Sequence, residues 1–343
     1  MILASLLNSY PRIGDRPAEQ VLRRAIQRAD RGEAPVSGVN AAEEEMIGLA
    51  IAEQVAADMD LLTDGQIRWH DPVSHVARGL AGFRVEGLLR YFDTNTYYRQ
   101  PAATGPIGRE RPILVDAYRL AASAAAPRPV KAIVTGPLTL ARLSRDARRR
   151  GVRDLALQIA SALNREILDL EAAGAVLIQV DEPALARYPG DADTLRLAMR
   201  RMVSGATSCR ILLASSFGDP TPLLPDLAVM PAALFGFDVT AALGREDGDA
   251  AGFGGRLAES FAGDAGFALG VIDGRNTRLE NAGEVYERRV RPILSALRPP
   301  EGGPARDIHL VTNHGLEFLP RDTARAKMSI LAAVRDRARQ EFP

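Results

Sequence analysis

Short apolar runs alternate with segments of helical periodicity along the chain, and the alternation repeats eight times. The runs occupy residues 2–7, 61–63, 130–134, 176–180, 210–214, 233–237, 267–272 and 308–312. Continuous apolar runs rich in β-branched residues read as strands buried on both faces of a parallel sheet. The segments between them carry apolar residues at helical spacing, as at Val21, Leu22 and Ile26, although the segment after the fifth run is weak. This pattern predicts an α/β fold, a single closed (β/α)8 TIM barrel spanning residues 1–343. Residues 69–106 interrupt it as an excursion after the second strand. Four of the seventeen Phe and Tyr side chains fall within residues 90–99, so this is an ordered and functional segment rather than a disordered one.

The fourth run is the most informative. Val176-Leu177-Ile178-Gln179-Val180 leads directly into Asp181-Glu182, and Pro183 stops the strand. Parallel barrels carry their chemistry at the carboxyl ends of their strands. The purely structural alternative is that Asp181 caps the next helix and Glu182 is solvated.

Composition narrows the function classes. The formal net charge is zero and the pI is about 6.9, so there is no basic footprint for nucleic acid. The single cysteine, Cys209, cannot form an intramolecular disulfide and fits a reducing, cytoplasmic compartment. Residues 1–7 are apolar but too short to span a membrane, and they read as a first strand. Neither a phosphate-binding GxxxxGK[ST] loop nor a GxGxxG turn is present.

In a barrel the strand-end loops meet at one mouth. They would bring together Ser9 and Arg12; Asp64, Gln66, Trp69 and His70; Asp181 and Glu182; Ser216; Asp238; Asp273, Arg275 and Asn276; and His314. Carboxylates and arginines in one cleft suit a small substrate carrying an amine and a carboxylate.

The same strand-end segments resemble the cobalamin-independent methionine synthase family. Ser9-Tyr10-Pro11-Arg12-Ile13-Gly14 resembles its FPRIG opening, and Arg90 to Tyr98 its KWFDTNYHY segment. Gln179 to Ala184 is similar to QIDEPA, Ala214 to Gly218 to TTYFG, Gly270 to Asn276 to GVINGRN, and Asn313 to Leu316 to DCGL. The best likeness is to the N-terminal barrel of the long enzymes. The resemblance implies methyl transfer from a methylated folate, or another methyl carrier, to a small thiol such as homocysteine. It also implies zinc, because a bound Zn2+ turns a thiol into a thiolate at neutral pH.

The sequence departs from that pattern at the metal. The positions of the family's zinc ligands hold Ala214, Ser216, Asp238 and His314. The usual site is therefore not encoded, and only a rearranged one from His314, Asp238 and His70 or His75 would remain. Positions that hold homocysteine in the family correspond to Gln66 and Asp181. On this reading Asp181, His70 and His314 are catalytic. Ser9, Arg12, Asp64, Gln66, Trp69, Glu182, Ser216, Asp273, Arg275 and Asn276 bind substrate. Two alternatives stand beside methyl transfer. One is a non-catalytic half that works with a separate zinc-bearing homologue, and the other is a metal-free lyase or decarboxylase on the same barrel.

Overall fold

A computed structural model describes residues 1–244, 248–261, 263–299 and 305–343. Ten strands are present among the described residues: β1 (Ile2–Ser5), β2 (Leu80–Arg90), β3 (Tyr97–Arg109), β4 (Ala132–Thr135), β5 (Arg145–Asp146), β6 (Leu177–Asp181), β7 (Arg210–Ser215), β8 (Leu234–Phe237), β9 (Gly266–Ile272) and β10 (Ile308–Thr312). Seven of them form one parallel sheet in the order β1-β10-β9-β8-β7-β6-β4. Its two edges are joined by the second apolar run. Leu61 bridges Ser5, and Leu62 bridges Val130 next to β4. The segment expected as a strand thus fills the eighth position of a barrel-like sheet with only two bridged residues.

Side chains alternate along each strand, and this alternation builds the two layers. Leu61, Leu177, Leu212, Leu234, Ala268 and Val311 form a small apolar cluster of their own. Ile178, Val180, Ile211 and Leu213 instead join the large core shared with the surrounding helices. Leu177, Gln179 and Asp181 therefore lie on one face of β6, from the apolar plug up to the mouth. The helix Arg321–Glu341 ties the end of the chain to its beginning. Its buried Arg335 pairs with Asp58 and Asp60, and its Arg339 donates to the Ile2 carbonyl. Buried cations need such partners.

Three elements differ from the sequence expectation. The aromatic excursion is an antiparallel hairpin of β2 and β3, preceded by the short helix Ser74–Arg78. The helix expected over residues 138–148 ends at Arg142, because Arg145 and Asp146 pair with Ala102 and Ala103 of β3. Tertiary pairing overrides helical propensity there. The helical pattern over residues 282–297 passes through a π-turn at Tyr286–Val290, just before Pro292. Proline has no N–H and its ring crowds the carbonyl four residues back, so a wider turn relieves both conflicts. No described helix is long and apolar enough to cross a membrane.

Candidate active site

The mouth opens into a cleft of about 620 Å³. Nine of the residues expected from the sequence line it: Ser9, Arg12, Gln66, Trp69, His70, Asp181, Ser216, Arg275 and His314. Asp181 is the carboxylate at the end of β6, and Gln179 donates to its Oδ1 at 2.7 Å. The Asn8 side chain, turned to present its amide nitrogen, reaches the other oxygen at 3.1 Å. Burial pushes the Asp181 carboxyl up to about 7 against the pull of Gln179 and Lys131.

Lys131 lies beneath it, 1% exposed. Its ammonium donates to Gln179 Oε1 at 2.6 Å and to the Leu7 carbonyl at 3.4 Å. Burial brings it down to about 7. Lysine is almost never fully buried without a counter-charge, and here the nearest anion is reached through one amide. A lysine inside the otherwise apolar run 130–134 is the one signal in the sequence that marks this position.

Gln66 has a left-handed backbone (φ 52°) and accepts from the Ser9 hydroxyl. Arg12 is half-buried. Its Nε donates to the Ile67 carbonyl at 2.5 Å, and its terminal nitrogens approach His70 Nδ1 and Glu43 at 3.4 Å. Burial, reinforced by Arg12, lowers the His70 pKa. Trp69 stacks on His75 with ring centres 4.9 Å apart and planes within 13°. Across the mouth, Phe217 (φ 66°) and Phe92 (φ 48°) pack 5.2 Å apart, and both rings meet Tyr91. Bulky residues held at positive φ cost about 1–3 kcal/mol each and concentrate at functional sites. This aromatic corner was not legible from residue types alone. Glu317 also lines the cleft, and the sequence reading did not single it out.

Five residues assigned to the mouth are held elsewhere. Glu182 is fully buried. It accepts from the Leu138 and Thr139 backbone amides and the Thr139 hydroxyl at 2.9, 2.8 and 2.6 Å. Neither solvated nor in the cleft, it satisfies the orphan N–H groups of the helix Pro137–Arg142. A Cβ on Gly136 would come within 2.2 Å of its Oε1, so glycine is required there. Asp64 lies with Trp69 and Lys131 around a void of about 10 Å³. Asp273 accepts from the Arg275 backbone amide at 2.8 Å and from the Asn276 side chain, so both acids and amides of that loop are spent on its own turn. Asp238 caps the helix Val239–Leu243 through Ala241 N and holds His314 Nε2 at 3.1 Å. Burial pushes Asp238 up, but the His314 hydrogen bond and charge hold it below the usual range.

A family model described as "Cobalamin-independent synthase, Catalytic domain" matches residues 9–196. The chain belongs to the cobalamin-independent methionine synthase family. The methionine synthase of Sulfurisphaera tokodaii is 28% identical over 316 residues, covering 92% of this chain and 88% of that one. The Saccharolobus solfataricus methionine synthase is also 28% identical, covering 92% and 90%. A B12-independent methionine synthase from Shewanella sp. W3-18-1, solved in complex with selenomethionine, superposes with a TM-score of 0.80 at 19% identity, covering 99% and 98% of the two chains. A methyltransferase from Methanosarcina mazei gives 0.64 at 12% identity, covering 96% and 93%.

The zinc that this methyltransferase family implies can be tested against the residues present. Asp238 and His314 touch, but Ala214 and Ser216 offer no imidazole or thiolate. His70 is held against Arg12 instead. Among the described residues no three His, Cys, Asp or Glu side chains converge. A zinc site takes three or four protein ligands, so these residues do not fit the metal.

Proposed function

We propose that the cleft binds a small amino acid and that the chain takes part in methyl transfer to it. The acceptor is a thiol of the homocysteine type, and the methyl group comes from a folate-type or other carrier. The supporting observation is Asp181, a buried carboxylate opening into the cleft, with amide partners but no ion pair among the described residues. The acceptor's ammonium supplies the missing charge. Arg275, without a carboxylate partner among the described residues, faces its carboxylate. The Shewanella relative solved with selenomethionine favours a ligand of this size and charge.

Methyl transfer requires the thiol to lose its proton. In its neutral form His314 is placed for that work, with Nε2–H held by Asp238 and Nδ1, which has no hydrogen-bond partner among the described residues, left to accept. Asp238 fixes the tautomer, in the manner of a base held by its orienting acid. The test is methionine formation from L-homocysteine with methyl-labelled donors, followed by mass spectrometry. Turnover that falls at least about 100-fold in Asp181→Asn supports the proposal, as expected for loss of a charged contact. No product with any donor would contradict it.

The two-ligand remnant favours a second reading, in which this barrel binds the amino acid while a separate zinc-bearing homologue performs the transfer. Product formed only after adding such a partner would select that reading.

A further inference from the structure

The cleft holds a second carboxyl beyond the one that an acceptor's ammonium would meet, and burial pushes this one, Glu317, up to about 7. Glu317 lines it, and apart from its own backbone amide the carboxylate has no hydrogen-bond or ionic partner among the described residues. Its Oε2 is buried without a partner. Beside it stands Tyr91, whose hydroxyl is raised by burial first and then by the charges of Asp181 and Glu317. Tyr91 and Phe217 both line the cleft, with ring centres 5.5 Å apart and planes at 85°. Two rings meeting edge to face, with an unpartnered carboxyl nearby, form the kind of corner that receives a methylated cation. Phe217 already draws positive charge, since the Arg275 guanidinium sits 5.5 Å above its ring.

We infer that the methyl donor is an onium compound, a sulfonium or quaternary ammonium whose charged centre rests in the corner of Tyr91 and Phe217 opposite Glu317. This rests on the acceptor reading above and names the class of its second substrate. The chemistry is self-contained. The acceptor's S–H bond gives its proton to His314, and a new S–CH3 bond forms. The donor's C–S or C–N bond breaks with its electron pair returning to the positive heteroatom. The donor leaves as a neutral thioether or amine, so its departure needs no acid. With no ligand set among the described residues that would fit a thiolate-activating metal, a donor already carrying positive charge supplies the missing drive.

The probes are tetramethylammonium, which tests binding alone, and trimethylsulfonium, which can also react. Their neutral counterpart is tert-butanol. In calorimetry, wild-type protein should bind both cations at least about 10-fold better than tert-butanol, in line with a desolvated cation–π site. Glu317→Gln and Tyr91→Leu should each lose that preference while keeping L-homocysteine affinity, which shows that fold and acceptor site are intact. With homocysteine present, trimethylsulfonium should yield methionine and dimethyl sulfide. Product from tetramethylammonium, with release of trimethylamine, would assign the ammonium class instead. Cation binding no better than tert-butanol, or unchanged in Glu317→Gln, overturns the onium inference. It would leave the acceptor reading standing if homocysteine still binds.

Discussion

Lys131 and Asp181 are joined by a single amide: Gln179 accepts from the Lys131 ammonium at 2.6 Å and donates to Asp181 at 2.7 Å. The buried cation pulls the Asp181 carboxyl down while desolvation pushes it up. In Lys131→Met the pull is gone. Acidification must then protonate Asp181 at a higher pH, and an ammonium ligand should lose affinity earlier. Calorimetric titrations of L-homocysteine from pH 5.5 to 8.5 should show the acid limb displaced upward. An unmoved limb would mean that Lys131 serves packing alone.

The same carboxyl makes the unliganded protein less stable at high pH. Folded, it binds its proton up to about 7, whereas an unfolded aspartate releases it near 4. Between those values the folded state holds the extra proton, so stability falls as pH rises through the window. Asp181→Asn removes this cost. Its Tm should exceed wild type at pH 8 by about 2 °C or more and by little at pH 4.5, measured by scanning calorimetry. A uniform loss at both pH values would show that the buried Asp181 proton does not set stability in this range. Gain of stability with loss of binding is the expected trade at a functional carboxylate.

Glu182 is a different kind of acid from its neighbour. It bonds the first N–H groups of the helix Pro137–Arg142 from another strand. Glu182→Gln can keep only part of that set and should cost about 1–3 kcal/mol. Gly136→Ala forces the same carboxylate aside and should cost a similar amount. Denaturant unfolding measures both, and a double variant no worse than either single one would confirm that they disturb one contact.

These two adjacent acids also show how far the sequence could be read. The apolar run ending at Asp181 places both at a strand end, and strand periodicity puts only one of them on the barrel's inner face. Which acid that is depends on where pairing begins, and β6 pairs from Leu177. The alternation of strands and helices was legible because each run is continuous and apolar. The hairpin of β2 and β3 was not, because Gly and polar residues blur its period and its partner strand β5 is distant in sequence. Asp273 and Asn276 were placed in the mouth by residue type, yet they hydrogen-bond their own turn. Glu317, three residues past the last expected site residue, becomes visible only when β10 brings its loop to the cleft.

Metal content follows from the same residues. With Ala214 and Ser216 beside Asp238 and His314, protein purified without chelators should hold well under one zinc per chain, and added zinc should not raise its Tm. Stoichiometric zinc that is lost in His314→Ala would overturn the ligand assignment.

The most direct test of Asp181 as the ammonium's partner is a calorimetric titration of L-homocysteine and L-methionine into wild-type protein and Asp181→Asn near pH 7.5. Saturable one-site binding to the wild type is expected, with affinity reduced at least about 30-fold in the variant, the scale of a lost buried charge-assisted contact. Equal affinity in the two proteins would contradict that role.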